Sequence, residues 1–394
     1  MVKNKRLFVV SSEPSYYQVP IFCGLEDNIN VSVLFCIKKQ REYKDEEFGI
    51  NVNMGINVLF GYKYRFLKNF SLQPYNNFWG QVNFGVVKEI FLEKPDFLWV
   101  NGWNSFTNWL AFLAAFLIGT KVFLRAESPL NQELLKPKWK LFLKKLVFKP
   151  LFKKISAFLY IGEENRKFYK YYGVPDEKLF FTPYAVDNDR FMAAAEELKP
   201  KRKELRKKLL GIEDDRPIIL FVGKLIDKKR PLDLLRAYEL LITDYQLPIT
   251  PSLLFVGDGA LRPELEKYTK EHELKGVHFA GFKNQTELPE YYAIADVFVL
   301  PSGPGETWGL VVNEAMCFGL PVIVSDMVGC APDLVENGKN GFVFPMGNIR
   351  EISRCLSVTV FDTTLRNSLR EGAIRKVFSY NYKNDVVGIK AACS

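Results

Sequence analysis

Short runs of β-branched and aromatic residues recur along the whole chain, each followed by a segment of helical length, and this alternation restricts the fold more than any other feature. In the first half "RLFVVSS", "VSVLFCIK", "DFLWVNGW", "KVFLRAES", "AFLYIGEE" and "LFFTPYAV" read as strands; in the second, "PIILFVGK", "SLLFVGDG", "VHFAGF", "ADVFVLPS", "PVIVSD" and "GFVFP". Apolar strands separated by helices build parallel sheets covered on both faces. The 394 residues suffice for two such α/β domains. The charged stretch "AAAEELKPKRKELRKKLLGIEDDRP" joins them, which puts the boundary near residue 195.

Several function classes are disfavoured at once. The six cysteines are scattered, form no CxxC pair and are accompanied by only two histidines, which argues against a zinc site or a disulfide framework and for a reducing cytosol. The start, "MVKNKRLFVVSSEP", has an apolar core too short for a signal peptide, and "WLAFLAAFLIG" at 109–119 falls short of the ~20 residues that span a bilayer. That run is expected to be a buried helix. The net charge of +9 has no recognisable nucleic-acid-binding motif attached to it, so no nucleic-acid partner is expected.

Open parallel sheets bind ligands beyond the carboxyl ends of their strands. After "IILFVG", Gly223 permits a tight turn, and Lys224, Lys228, Lys229 and Arg230 follow at the mouth of a helix, an arrangement suited to phosphate. Gly257 and Gly259 would let a ligand approach backbone, or serve turn geometry alone; Gly281 and Phe282 stand where backbone groups can meet a base. In "GETWGLVVNE", Glu306 lies in a loop after a strand, while Glu314 falls on the apolar stripe of a short helix ended by Gly319. A buried carboxylate needs a partner, and its own segment offers none.

The stretch "PSGPGETWGLVVNEAMCFGLPVIVSDMVGCAPDLVENGKNGFVFP" resembles the signature region of retaining family 4 glycosyltransferases, with two glutamates that have seven residues between them, an "EAM..G.PVI" block and an "NG..GF" block; "FVGKLIDKKRP" looks like the family's phosphate loop. The resemblance covers roughly residues 216–350. It implies a GT-B fold, two Rossmann-like parallel-sheet domains facing a central cleft: 1–195 on the acceptor side, 196–375 binding a nucleotide sugar, and 376–394 packing back toward the N-terminal domain. Glu314 would bind the ribose hydroxyls, Glu306 the donor sugar, with the backbone of Thr307, Trp308, Gly309 and Leu310 alongside. A diphosphate leaving group needs a metal or fixed cations, and Lys224 and Lys229 are the candidates, so no metal or other cofactor is expected. The "DND" at 187–189 imitates the metal-binding motif of another glycosyltransferase fold but resembles the family's inter-domain loop.

Two departures stand out. Where relatives carry glycine after the phosphate lysine this chain has Arg230, and both histidines, His272 and His278, lie in the second half although relatives place one near the reacting sugar in the first. The corresponding region offers Asn101, Trp103 and Asn104, then Arg125 and Glu127, which alternate on one strand and either serve catalysis or form a structural ion pair. Glu13 and Tyr16 follow the first strand on the acceptor side. Residues 136–155 hold eight lysines and no acid, interleaved with Trp139 and several phenylalanines, which suits either a solvated helix or an anionic membrane surface. The expectation is a cytoplasmic, metal-independent retaining glycosyltransferase, at most peripheral to a membrane, acting on a glycan, lipid-linked or small acceptor. The alternatives are a sugar-nucleotide epimerase on this fold and a non-catalytic binder.

Overall fold

The structure, a computed structural model, describes residues 5–26, 29–38, 42–45, 50–53, 57–74, 77–245 and 249–394. The chain divides into two compact units: the first strands, Asn57–Ala185 and Asn381–Ser394 make up one, and Val186–Tyr380 the body of the other. In the first, β1 (Lys5–Ser11), β2 (Ile29–Phe35), β5 (Lys63–Phe66), β6 (Phe97–Asn101), β7 (Lys121–Arg125), β8 (Ala157–Tyr160) and β9 (Leu179–Phe181) form a parallel sheet in the order β5-β2-β1-β6-β7-β8-β9. The strands anticipated from apolar runs are present. β5 and the antiparallel hairpin β3 (Glu42–Asp45) and β4 (Ile50–Asn53) were not anticipated. "KYRF" lies on a sheet edge and is mostly exposed, so it lacks the apolar run of a central strand.

The helices of this unit are α1 (Val19–Leu25), α2 (Gly85–Glu93), α3 (Phe106–Ile118), α4 (Leu130–Glu133), α5 (Lys138–Lys154), α6 (Glu163–Tyr171) and α16 (Tyr382–Ala392). Ile90, Phe112, Phe148, Phe152 and Phe168 from α2, α3, α5 and α6 seal one face of the sheet. Ile21, Phe22 and Ile389 from α1 and α16 seal the other. The helix over 109–119 is only half buried. Ala111, Phe112, Ala114 and Ala115 face the sheet, while Leu113 and Leu117 are exposed, because a helix in an outer layer buries one stripe.

The second unit has strands β10 (Ile218–Val222), β11 (Ser252–Val256), β12 (Val277–Phe279), β13 (Val297–Leu300), β14 (Val322–Ser325) and β15 (Gly341–Phe344), parallel, in the order β12-β11-β10-β13-β14-β15. Its helices are α7 (Asn188–Leu198), α8 (Arg202–Leu210), α9 (Pro231–Asp244), α10 (Arg262–Glu271), α11 (Leu288–Ile294), α12 (Leu310–Cys317), α13 (Ala331–Leu334), α14 (Ile349–Phe361) and α15 (Thr363–Val377). The division falls between Ala185 and Val186 rather than near residue 195. The charged stretch is no linker: α7 packs on α11 and α12, α8 on α11, and Arg202 meets Asp296 at 2.8 Å.

Candidate functional site

The residues singled out in the second half lie on neighbouring strands of one sheet, all beyond the carboxyl ends. Gly223, Lys224 and Lys229 follow β10, Gly257 follows β11, Phe282 follows β12, and Glu306 to Leu310 follow β13. Lys229 Nζ donates to Glu306 Oε2, which also accepts from Ser302 Oγ at 3.0 Å. Lys229 and Glu306, 77 positions apart in sequence, are therefore in contact at one edge. The loop after β13 is stapled to the chain before α13: Gly329 N donates to Glu306 O at 3.1 Å and Cys330 N to Trp308 O at 3.0 Å. A Cβ on Gly329 would stand 1.9 Å from Thr307 O, so no side chain fits there. Trp308 is buried, its indole N–H donating to Asn313 Oδ1 at 2.9 Å.

Three of the sequence features in this unit have partners within the protein. The backbone that approaches Gly257 belongs to the protein: a Cβ there would stand 1.9 Å from Gly223 O, so the glycine serves the close passage of the β10 and β11 loops. Glu314, 1% exposed, already has protein partners. Tyr292 Oη donates to Oε2 at 2.7 Å and Gln285 Nε2 to Oε1 at 3.2 Å, and Arg190 holds Gln285 in turn. Burial pushes this carboxyl up from its usual range, against the pull of Tyr292 and Gln285. Its missing partners were thus side chains of the loop before α11 and of α11 itself, and a ribose would have to share oxygens they occupy. Finally, Asp187 of "DND" caps α7 by accepting from Arg190 N at 3.1 Å, and Asn188 is buried against the carbonyls of Val377 and Tyr380.

Arg230 takes the left-handed conformation, φ 50° and ψ 45°, between a 3-10 turn and α9. Glycine adopts that conformation freely and a side chain pays about 1 kcal/mol for it. The loop path is therefore kept, with a strained arginine in it. Its Nε donates to Asp233 Oδ2 at 2.5 Å.

In the first unit Asn101 ends β6, and Glu13, Tyr16, Asn104 and Glu127 follow the carboxyl ends of the adjacent strands β1, β6 and β7. Glu127 is half-buried and accepts from Tyr184 Oη. The buried Nδ2 of Asn101 has no hydrogen-bond partner, while its Oδ1 is fixed by Trp99 Nε1 at 2.9 Å, which leaves a donor at this edge for a polar ligand. Two candidates do not belong to a site. Arg125 is buried and bonded by both terminal nitrogens to Asp385 of α16, at 3.1 and 3.0 Å, so its bonded ion pair is with Asp385, and Glu127 acts on it only through longer-range attraction. Trp103 packs into the core, its ring centroid 4.6 Å from that of Phe148 and 5.7 Å from that of Phe168. Neither Tyr184 nor Asp385 was singled out from sequence, since nothing local marks them.

The lysines of 136–155 are not equivalent. Lys144 turns inward, 2.7 Å from Glu133 and with its ammonium 5.0 to 5.7 Å from the ring centroids of Trp103, Phe148, Phe168 and Tyr172. Lys145, Lys149 and Lys153 instead line a surface groove with Phe142, Leu146 and Pro150. Trp139 and Phe142 are 61% and 62% exposed. Among the described residues no helix is long and apolar enough to cross a membrane.

Residues 201–376 match the family described as Glycosyl transferases group 1. The sulfoquinovosyl transferase SQD2 of Arabidopsis thaliana is 33% identical over 187 residues, 46% of this chain and 34% of that protein. The UDP-Gal:alpha-D-GlcNAc-diphosphoundecaprenol alpha-1,3-galactosyltransferase of Escherichia coli is 30% identical over 205 residues, 51% of this chain and 49% of that one. The matched stretch thus spans half or less of these relatives' length. Anabaena HepE, solved in complex with UDP and glucose, shares the fold with a TM-score of 0.71 over 99% of both chains, at 18% identity.

Proposed function

We propose that this chain, whose residues 201–376 match the family described as Glycosyl transferases group 1 and whose fold is GT-B, transfers a sugar from a nucleoside diphosphate sugar to an acceptor, with retention and without a metal. The observation that carries the reading is the contact of Lys229 with Glu306 at the carboxyl edge of β10 and β13. A lysine at that edge neutralises charge developing on a departing diphosphate, and a carboxylate beside it accepts hydroxyls of the sugar being released. Lys224 supplies a second cation from the same loop. Loops stapled by backbone hydrogen bonds hold these groups before the donor arrives, so little reorganisation accompanies bond cleavage. Glu314 would touch the ribose only by sharing its carboxylate with Tyr292 and Gln285.

In the first unit, Asn101 and Glu127 are the groups we assign to the acceptor hydroxyl. A lipid-linked acceptor is favoured, because the exposed face of α5 combines Trp139, Phe142 and Leu146 with Lys145, Lys149 and Lys153, a composition suited to an anionic membrane surface. The E. coli relative is named for a diphosphoundecaprenol-linked substrate.

Calorimetric titration with UDP, the nucleotide bound by HepE, tests the donor site, and release of UDP from UDP-sugars tests turnover. NMR of the product's anomeric centre tests retention. Turnover abolished by EDTA and restored by a divalent ion would overturn the metal-independent mechanism. Sedimentation with anionic vesicles at low salt tests the membrane surface, and Gln at positions 145, 149 and 153 should abolish the binding.

A further inference from the structure

We propose that Arg230 selects donors whose transferred sugar carries a negatively charged substituent; the inference rests on the donor reading above. Three observations point the same way. The backbone of Arg230 is left-handed, φ 50°, at a position glycine would occupy without strain, and strain retained in a ligand-edge loop is a mark of function. The side chain leans from the β10 loop over the loops that follow β13 and β15: its Cδ lies 3.5 Å from where a Cβ on Gly303 would stand, and Nη2 lies 3.3 Å from the same point on Gly347. Asp233 accepts from Nε and fixes the guanidinium plane, while Nη1 and Nη2 have no protein partner among the described residues and the side chain is 35% exposed. A guanidinium held in this way presents two parallel N–H donors to a carboxylate or a similar oxyanion.

The order of strands decides which part of a donor meets it. In the sequence β12-β11-β10-β13-β14-β15, Phe282 after β12 stands on the base side, Lys224 after β10 at the diphosphate, and Glu306 after β13 at the sugar. Gly303 and Gly347, over which Arg230 leans, lie on the sugar side of the diphosphate loop. Lys224 and Lys229 already provide for the diphosphate, so Arg230 is left for a charge further along the donor.

The test is calorimetric titration of UDP, UDP-glucose and UDP-glucuronic acid into the intact protein. The expected result is that UDP binds and that UDP-glucuronic acid binds about tenfold more tightly than UDP-glucose, the size of one charge-assisted pair. Arg230→Gln should bring the ratio near one, Arg230→Lys should keep part of it, and Arg230→Gly should lose it while raising the melting temperature. If UDP binds but the two sugar nucleotides differ by less than twofold in the wild type, or if Arg230→Gln leaves their ratio intact, the inference is overturned while the donor reading stands. If UDP itself does not bind, the donor reading fails and takes this inference with it.

Discussion

Replacing Asp385 by alanine should destabilise the first unit severely. The carboxylate is 0% and Arg125 5% exposed, and the pair is bidentate at 3.1 and 3.0 Å. After the substitution Arg125 would keep the carbonyl of Thr182 at 3.4 Å, the faces of Trp99 and Tyr184, with centroids 5.6 and 5.4 Å away, and the longer-range attraction of Glu127, but no carboxylate bonded to it. Removing one partner of a buried pair leaves an uncompensated charge and costs about 3–5 kcal/mol. For a unit of this size, that corresponds to a melting temperature lower by roughly 6–20 °C. Scanning calorimetry measures the shift, and hydrogen exchange in β7 and α16 locates it. The double substitution Arg125→Met with Asp385→Leu should recover most of the loss, because apolar replacements of a buried pair pack without a desolvated charge. A cost below about 1 kcal/mol for Asp385→Ala, or a double variant as unstable as the single one, would refute the argument.

Other outcomes follow from single contacts. Gly257→Ala places a Cβ 1.9 Å from Gly223 O at φ 142°, so the loops must separate; a loss of more than about 3 kcal/mol in urea unfolding is expected. Lys229→Ala should weaken UDP about tenfold by calorimetry, the loss of one charge-assisted contact, and unchanged affinity would remove it from the site. Burial works against the charge of Glu133, but hydrogen bonds from Lys136, Lys144 and Tyr172 outweigh it and hold the carboxyl below the usual range. A depressed folded pKa stabilises above the unfolded value of about 4.3 and is lost as pH falls through the folded one, so Glu133→Gln should be less stable than wild type at pH 7 and the gap should close in acid melts.

The fold was legible because its signal is local: each central strand of both sheets carries a continuous apolar run, and helical segments of sufficient length separate them. The edge of the second sheet was legible for a related reason, since strand order places the loops after β10, β11, β12 and β13 side by side. What stayed hidden were side-chain partners. Glu314 is completed by Tyr292 and Gln285, 22 and 29 positions earlier, and Arg125 by Asp385, 260 positions later. No spacing rule carries such pairs. Lys144 looks like its neighbouring lysines in sequence, and Glu133 together with aromatic rings of two other segments distinguishes it. The glycine after β11 looked like a ligand contact because a close backbone neighbour and a close ligand demand the same absent side chain.

The assignment of Asn381–Ser394 to the first unit has a consequence for biosynthesis. Arg125 and its sheet leave the ribosome early, but Asp385 and Ile389 are made only after the whole of Val186–Tyr380. At ordinary translation rates of about 5–20 residues per second, that interval is roughly 10–40 s. For its duration one face of the seven-stranded sheet lacks α16 and a buried guanidinium lacks its counter-ion. The second unit is therefore able to complete its fold on the ribosome before the first, reversing the order in which they are synthesised, and the incomplete sheet is the species a nascent-chain chaperone would meet.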